Sequence, residues 1–492
     1  MPLVRRARIV ALPVVVALAL GLWGIRREGT MWRDESVTYQ MAHRGLSELW
    51  ATLGNVDAVH GLYYLLMHGW FAVWDGGLLA LRLPSLLAMA AAAGAVAWLG
   101  QHLVGRRAGV FAGLVLAVLP PVQMYAQEGR SYALVCAAVA TSTCLFLRAV
   151  GTPGGRRSVT GWTAYAVVTW VACLLHEFAI LALLAHGATL YISRRRVGRG
   201  TRRAWTVAAS AVTAGVLPLV VVSTGQQEQL SWLGRPSWSH WTWYAAVLTW
   251  AALCRVPVRG RGPVGPWALA MPLLALPAAL LMTASLVTPL YLDRYVLYSA
   301  IGFALITGTA LDRLLRPGHL RQLMPSDGLR YATVALVVAG ASALLIPSHL
   351  KVREPGSRKD DVTGVALAVQ ASAEPGDAIL FMPSRRREWR LSYAPRYGKV
   401  RDIALDREPV ASHSLHGSEL PAREIRARML AERRIVTASD PAGAALDTVE
   451  REVVKRAVLR EHFAVCSRTE VRGGRVTVWA REGHCAKAAD SG

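Results

Sequence analysis

Apolar residues in this chain come in long unbroken blocks, and that constrains it more than any motif. A soluble chain spreads its apolar residues through short amphipathic segments. Here they run on for roughly 17–25 residues at a time, enough to cross a bilayer as helices. The blocks are rich in Ala, Leu and Val, and arginine-rich connections separate them. The expected class is therefore a polytopic α-helical membrane protein. The formal net charge of +23 is then no sign of nucleic-acid binding, because arginine in short loops between spans is characteristically kept on the cytoplasmic side.

Basic clusters occur at Arg5-Arg6, Arg106-Arg107, Arg148 with Arg156-Arg157, Arg194 to Arg203, Arg255 to Arg261, and Arg313 to Arg330. Placing them all inside requires about eleven transmembrane helices. The expected spans are 8–25, 82–102, 108–124, 132–149, 160–175, 178–193, 204–223, 239–254, 265–288, 295–312 and 331–349. The first follows a basic start and has no small-x-small cleavage site after it, so it reads as an uncleaved span. Residues 1–350 form the transmembrane domain, with a first external loop at 26–81. An odd number of spans carries residues 351–492 outside.

That tail has a different composition. Strand-like runs "AILFM" (378–382), "RRIVTA" (433–438) and "RVTVWA" (475–480) alternate with helical stretches such as "PAREIRARMLAERR" (421–434). The pattern predicts a small C-terminal extracytoplasmic α/β domain. Cys136, Cys144, Cys173 and Cys254 fall in spans, where a cysteine serves as a small apolar residue. Cys466 and Cys485 lie in the tail, and an exported tail leaves a disulfide between them open.

The external loops hold a distinctive set of ionisable groups. Asp34, Glu35 and Asp57 lie in the first, and Glu128 and Arg130 in the second, "YAQEGRSY". His176-Glu177 sit at the third turn, Glu228 in the fourth loop, and Asp293-Arg294 in the fifth. Solvated loop ends explain any one of these. Carboxylates at successive turns on one side favour a shared site, since ionisable groups at headgroup depth are costly. In the first loop Val37, Met41, Leu46, Leu49, Trp50 and Leu53 recur at helical spacing, as in an interfacial helix. The segment 59–74, with His60 and His68, is too short to span and reads as interfacial or re-entrant. Trp32, Trp232, Trp238, Trp241 and Trp243 read as interface anchors.

Neighbours on a helix face different ways, so Asp34 and Glu35 cannot flank one bond as a hydrolase's two carboxylates do. One of them suits a lone general base, with the other structural or bound to a cation. A lone base suffices when the leaving group is already good, as a lipid phosphate is. Arginine's forked donors fit phosphate, and Arg130 and Arg294 are on the required side. This chemistry deprotonates an acceptor hydroxyl at Asp34 and directs it at the anomeric carbon of a sugar on a lipid phosphate.

An acidic pair just after the first span resembles the glycosyltransferase-C superfamily. More closely, the chain is similar to the bacterial branch of the dolichyl-phosphate-mannose protein mannosyltransferase-like family. The matching stretches are "WRDES" (32–36), "DAVHGLYYLLMHGWF" (57–71), "ALRLPSLL" (80–87), "GRRAGVFAGLVLAVLPPVQMYAQEGRSYAL" (105–134) and "DRYVLY" (293–298). The resemblance implies a glycosyltransferase-C type fold and a sugar, mannose, donated from a polyprenyl phosphate outside the cell membrane. It implies Asp34 as catalytic base and Glu128 as a second acidic site. The acceptor is a protein, a glycan or a lipid. The family's common "HPPLYY" is here "HGLYY" at 60–64, which leaves His60 between binding substrate and packing on Tyr63 and Tyr64.

The substrate-binding set is accordingly Glu35, Glu128, Arg130, His60 and Arg294. Glu35 and Glu128 are also the candidates for holding a divalent cation, Mg or Mn, although no ligand cluster has clear metal spacing. "GRGPVG" (260–265) matches G-x-G-x-x-G but follows no strand, so it carries no dinucleotide site. A transporter or flippase of a lipid-linked saccharide is the competing class. It calls for charges near the midplane and internal repeats, and the sequence displays neither.

Overall fold

The computed structural model describes residues 2–152, 154–226, 233–255, 260–315 and 326–485. Glu228 and Trp232 lie outside the described residues. The chain divides into two compact units. One comprises residues 1–25, 57–63 and 82–353, the other residues 26–56, 64–81 and 354–492.

In chain order the helices up to residue 353 are α1 (Pro2–Leu22), α2 (Arg33–Ala42), α3 (Leu46–Leu53), α4 (Gly61–Val73), α5 (Leu78–Leu103), α6 (Arg106–Val118), α7 (Pro120–Ala126), α8 (Tyr132–Val150), α9 (Gly155–Leu175), α10 (Leu181–Ile192), α11 (Arg199–Thr224), α12 (Trp238–Leu253), α13 (Pro266–Ala284), α14 (Ala300–Leu314) and α15 (Asp327–Arg353). The expected spans lie largely on helix, with α1 and α13 ending before the expected 25 and 288. Among the described residues seven helices are long and apolar enough to cross a membrane, or eight if the bent pair α6–α7 is one span. The protein is a polytopic helical membrane protein. Large apolar side chains such as Leu217, Val221, Trp243 and Leu253 stand exposed on α11 and α12, as lipid-facing helices require.

Small residues bring the helices of the first unit together. A Cβ on Gly308 of α14 would collide with the backbone of Ala112 on α6. Such contact is the usual means of packing helices where water supplies no hydrophobic drive. The α6–α7 pair bends by 64° at Pro120, which has no N–H to continue the ladder. Gln123 Nε2 donates to the Ala117 carbonyl at 2.6 Å, inside this break.

At one end of this unit three arginine-rich connections meet. The Arg261 N–H donates to the Leu103 carbonyl, and Arg107 Nη2 donates to the Leu315 carbonyl at 2.6 Å. Connections expected on one side of the membrane thus lie beside one another.

In the second unit, β1 (Ala378–Met382), β2 (Arg401–Asp402), β5 (Arg434–Ser439), β6 (Ala464–Val471) and β7 (Gly474–Ala480) form one sheet of order β2-β1-β5-β7-β6. Strands β3 (Leu405–Arg407) and β4 (Ser418–Glu419) form a separate pair. β1 runs parallel to β2 and β5, and β7 antiparallel to β5 and β6. Alternation along the strands builds a core on each face. Ile379, Phe381, Val436, Ala438, Val476 and Val478 pack under α16 (Val362–Ser372) with the buried Trp389. Ala378, Leu380 and Ile435 pack with Ile425 and Met429 of α18 (Ala422–Ala431) and with Val458 and Leu459 of α19 (Glu450–His462). A short helix, α17 (Glu388–Leu391), follows β1. Cys466 and Cys485 are joined in a disulfide.

The first-loop helices differ from expectation in one respect. Instead of a single interfacial helix there are two, separated at 43–45. Val37, Met41, Leu49 and Leu53 are buried, while Leu46 and Trp50 are 57% and 70% exposed. One face therefore builds the core of this unit, and only the other remains for a lipid surface. Glu48 starts α3 by accepting the Gly45 N–H at 3.1 Å, the reach-back half of a capping box.

Candidate functional site

Four loops far apart in sequence gather at one end of the helical unit. Asp57 takes a left-handed backbone, φ 60°, and caps a 3-10 turn, residues 58–60, that ends in His60. This turn is tied to the end of α11 by the Ala58 N–H donating to Gln226 Oε1 at 3.0 Å. The bend before α7 delivers the turn 127–131. Gln127 Nε2 donates to the carbonyls of Gly21 and Trp23 at the end of α1, at 2.8 and 2.6 Å. The same helix end is held by Arg353, which donates to Trp23 and Leu20, a cation answering orphan C-terminal carbonyls. The buried Arg82 of the "ALRLPSLL" stretch donates to the Ile25 carbonyl at 2.6 Å. Ser85 donates to the Arg130 carbonyl at 3.2 Å.

His60 is the hub. Its Nδ1 lies 3.2 Å from Ser131 Oγ, and its ring lies 5.6 Å from that of His176 and 6.0 Å from that of Tyr132. Ser131, Tyr132 and His176 thus reach it from two other loops. Arg130 Nη1 is 3.8 Å from Asp57 Oδ2. Arg294 lies over the rings of Tyr132 and Tyr295, at 5.5 and 5.8 Å, and its N–H donates to Asp293 Oδ1 at 2.8 Å. The His176 ring is 4.4 Å from that of Tyr295. Glu177 turns away and accepts from Ser223 Oγ at 2.7 Å.

Burial holds His60 well below the usual imidazole value of 6.5, and Arg130 and Arg294 push it further down. His176 is lowered in the same way, by burial first, then by His60, Arg294 and Arg130, against Asp57. Both imidazoles are therefore neutral near pH 7, and both sense the two guanidinium groups. Glu128 is buried, 1% exposed, in the same turn as Arg130. Thus His60, Glu128, Arg130 and Arg294 belong to one cluster, joined by His176, Asp57 and Tyr132.

Asp34 and Glu35 belong to the other unit. Both stand in the first turn of α2, and they diverge as helical neighbours must. Asp34 is half-buried, whereas Glu35 is fully buried and accepts from Arg27 Nη2 at 2.6 Å. Sequence reasoning missed Arg27. The signal was a single arginine eight residues before the acid, in a segment rich in arginine.

The pairing also bears on a divalent cation. Glu35 is paired with Arg27, and among the described residues no three His, Cys, Asp or Glu side chains are grouped as a metal site.

No protein-family model and no curated protein sequence matches the chain. Solved structures do. ArnT from Cupriavidus metallidurans in the apo state matches with a TM-score of 0.57 at 14% identity, over 95% of this chain and 97% of that one. ArnT bound to undecaprenyl phosphate matches at 0.54 and 13% identity, over 96% and 98%. The chain has the glycosyltransferase-C fold. The apo oligosaccharyltransferase of Archaeoglobus fulgidus shares it at a TM-score of 0.50 and 10% identity, over 88% of this chain and 69% of that one. In this glycosyltransferase-C fold the sequence stretch "WRDES" is α2 with its lead-in, and "YAQEGRSY" is the turn that carries Glu128 and Arg130.

Proposed function

We propose that this protein is a membrane glycosyltransferase that moves a sugar, mannose, from a polyprenyl phosphate to a hydroxyl on an extracytoplasmic protein, glycan or lipid. One observation carries the reading: Arg130 and Arg294 converge on a pair of neutral imidazoles, His60 and His176. Two guanidinium groups beside uncharged ring nitrogens suit a phosphate, which takes charge-assisted bonds from arginine forks. The fold shared with ArnT, whose structure holds undecaprenyl phosphate, supports a lipid phosphate.

The transfer needs one proton removed. The acceptor oxygen attacks the anomeric carbon, the bond from that carbon to the phosphate oxygen breaks, and its electron pair leaves on the phosphate. The acceptor proton passes to Asp34. Asp34 rather than Glu35 is the base because Glu35 is committed to Arg27. Arg130 and Arg294 stabilise the charge that develops on the departing phosphate, and Glu128 orients the acceptor.

Purified protein in proteoliposomes, given labelled polyprenyl-phosphate mannose and membrane acceptors, tests this. Asp34→Asn is expected to lower kcat by roughly 10²–10⁴, the usual worth of a general base, with donor KM unchanged. Arg294→Lys is expected to raise donor KM. Transfer at the wild-type rate by Asp34→Asn rules the mechanism out.

A further inference from the structure

The chain on both sides of Asp34 is held by the C-terminal sheet domain. The Met31 N–H donates to Thr363 Oγ1 at 2.9 Å, and its carbonyl accepts from the Val362 N–H at 2.9 Å. The Arg33 N–H donates to Asp360 Oδ1 at 2.8 Å. Asp360 thus serves as a tertiary N-cap for α2, answering an orphan N–H with a charge that suits the helix dipole. The Arg33 guanidinium pairs with Glu388, whose side chain is 1% exposed. Ser36 Oγ lies 2.6 Å from Ser392 Oγ, and Ser392 donates to the Ser36 carbonyl.

The clamp is itself anchored. Arg386 pairs with Asp440, just past the end of β5, reaches Asp360 at 4.0 Å and lies 4.3 Å over the fully buried ring of Trp389. An ionic chain therefore leads from the carboxyl end of the parallel strands to the first turn of α2. Burial raises the Glu388 carboxyl even with Arg33 beside it. Buried ion pairs add little net stability compared with apolar packing. What they supply here is orientation, on both flanks of one half-buried carboxylate.

We infer that Glu388 and Asp360 are positioning residues for the transfer step: they fix Arg33 and the first turn of α2, so that the Asp34 carboxylate is presented in one orientation. This rests on Asp34 being the base. The C-terminal domain then has a part in kcat.

The test uses the full chain in proteoliposomes with polyprenyl-phosphate mannose, comparing Asp360→Ala, the isosteric Glu388→Gln and Asp34→Asn. Each positioning variant is expected to lose about tenfold or more in kcat, up to the roughly 100-fold that a 1 Å misplacement costs, with donor KM within about twofold. The split between kcat and donor KM separates positioning from loosened packing, and Asp360→Asn, which keeps a side-chain oxygen for the Arg33 N–H, is expected to recover more of kcat than Asp360→Ala. Wild-type kcat in both positioning variants with Asp34→Asn inactive overturns the inference and spares the base. A parallel loss of donor binding and kcat also overturns it. Wild-type transfer by Asp34→Asn defeats the base assignment itself.

Discussion

Arg27 sits in a left-handed conformation, φ 42°, followed by Glu28 at φ 54° and Gly29 at φ 84°. Two consecutive non-glycine residues in that region are held there by something, and the buried pair with Glu35 is the visible restraint. Removing one partner leaves an uncompensated buried charge. Arg27→Met is expected to cost about 3–5 kcal/mol, seen as a lowered midpoint of thermal unfolding in detergent, while the double variant with Glu35→Gln recovers part of it. A second expectation concerns His60 and His176. Both are held below 6.5 when folded, so between that value and the folded one the unfolded chain binds more protons. Their contribution is complete above pH 6.5 and is lost as pH falls through the folded values. Unfolding midpoints measured from pH 7.5 downward are expected to drop more steeply for wild type than for His60→Gln or His176→Gln.

At the scale of elements, β6 is the strand least visible in the sequence. "AVCSRTEV" reads as polar because it lies at the sheet edge with both faces largely exposed. Edge strands are open to slippage and foreign pairing. The Cys466–Cys485 disulfide ties this edge to the residues after β7, across a sequence separation of 19. Closing a loop of that size is worth about 3 kcal/mol. Cys466→Ser with Cys485→Ser is expected to speed hydrogen exchange at residues 464–471 selectively, leaving β1 and β5 protected. Equal protection with and without the bond would count against it. By contrast β1, β5 and β7 were legible, because buried central strands must be apolar on both faces. α16 and α19 were not singled out: "VTGVALAVQAS" is apolar nearly all round and so leaves little period, and α19 is short and mostly charged.

At the scale of the whole molecule, the loops of the helical unit fall into two groups. Arginine-rich connections at 103–107, 260–261 and 312–315 meet at one end of the helical unit. Those at 57–60, 127–131, 176–180 and 293–298 meet through His60, His176 and Tyr298. On the positive-inside bias the second group is expected outside. An alkaline phosphatase fused after residue 480 is expected to be active, and one fused after residue 105 inactive. The reverse result would invert the topology.

Local properties were decided in the sequence. Runs of apolar residues, arginines between them and short strand-like runs in the tail are sums over neighbours along the chain, and they specify helices, expected sides and central strands. The divergence of Asp34 from Glu35 was equally local, because it follows from the helical turn. Partners were decided only by tertiary structure. Arg33 meets Asp360 across 327 residues, and His60 meets Ser131 across 71. Which charge neutralises which depends on how elements pack, and one arginine among many carries no mark of its mate. That is why neither the pairing of Glu35 with Arg27 nor the tail's hold on α2 had a signature in the sequence.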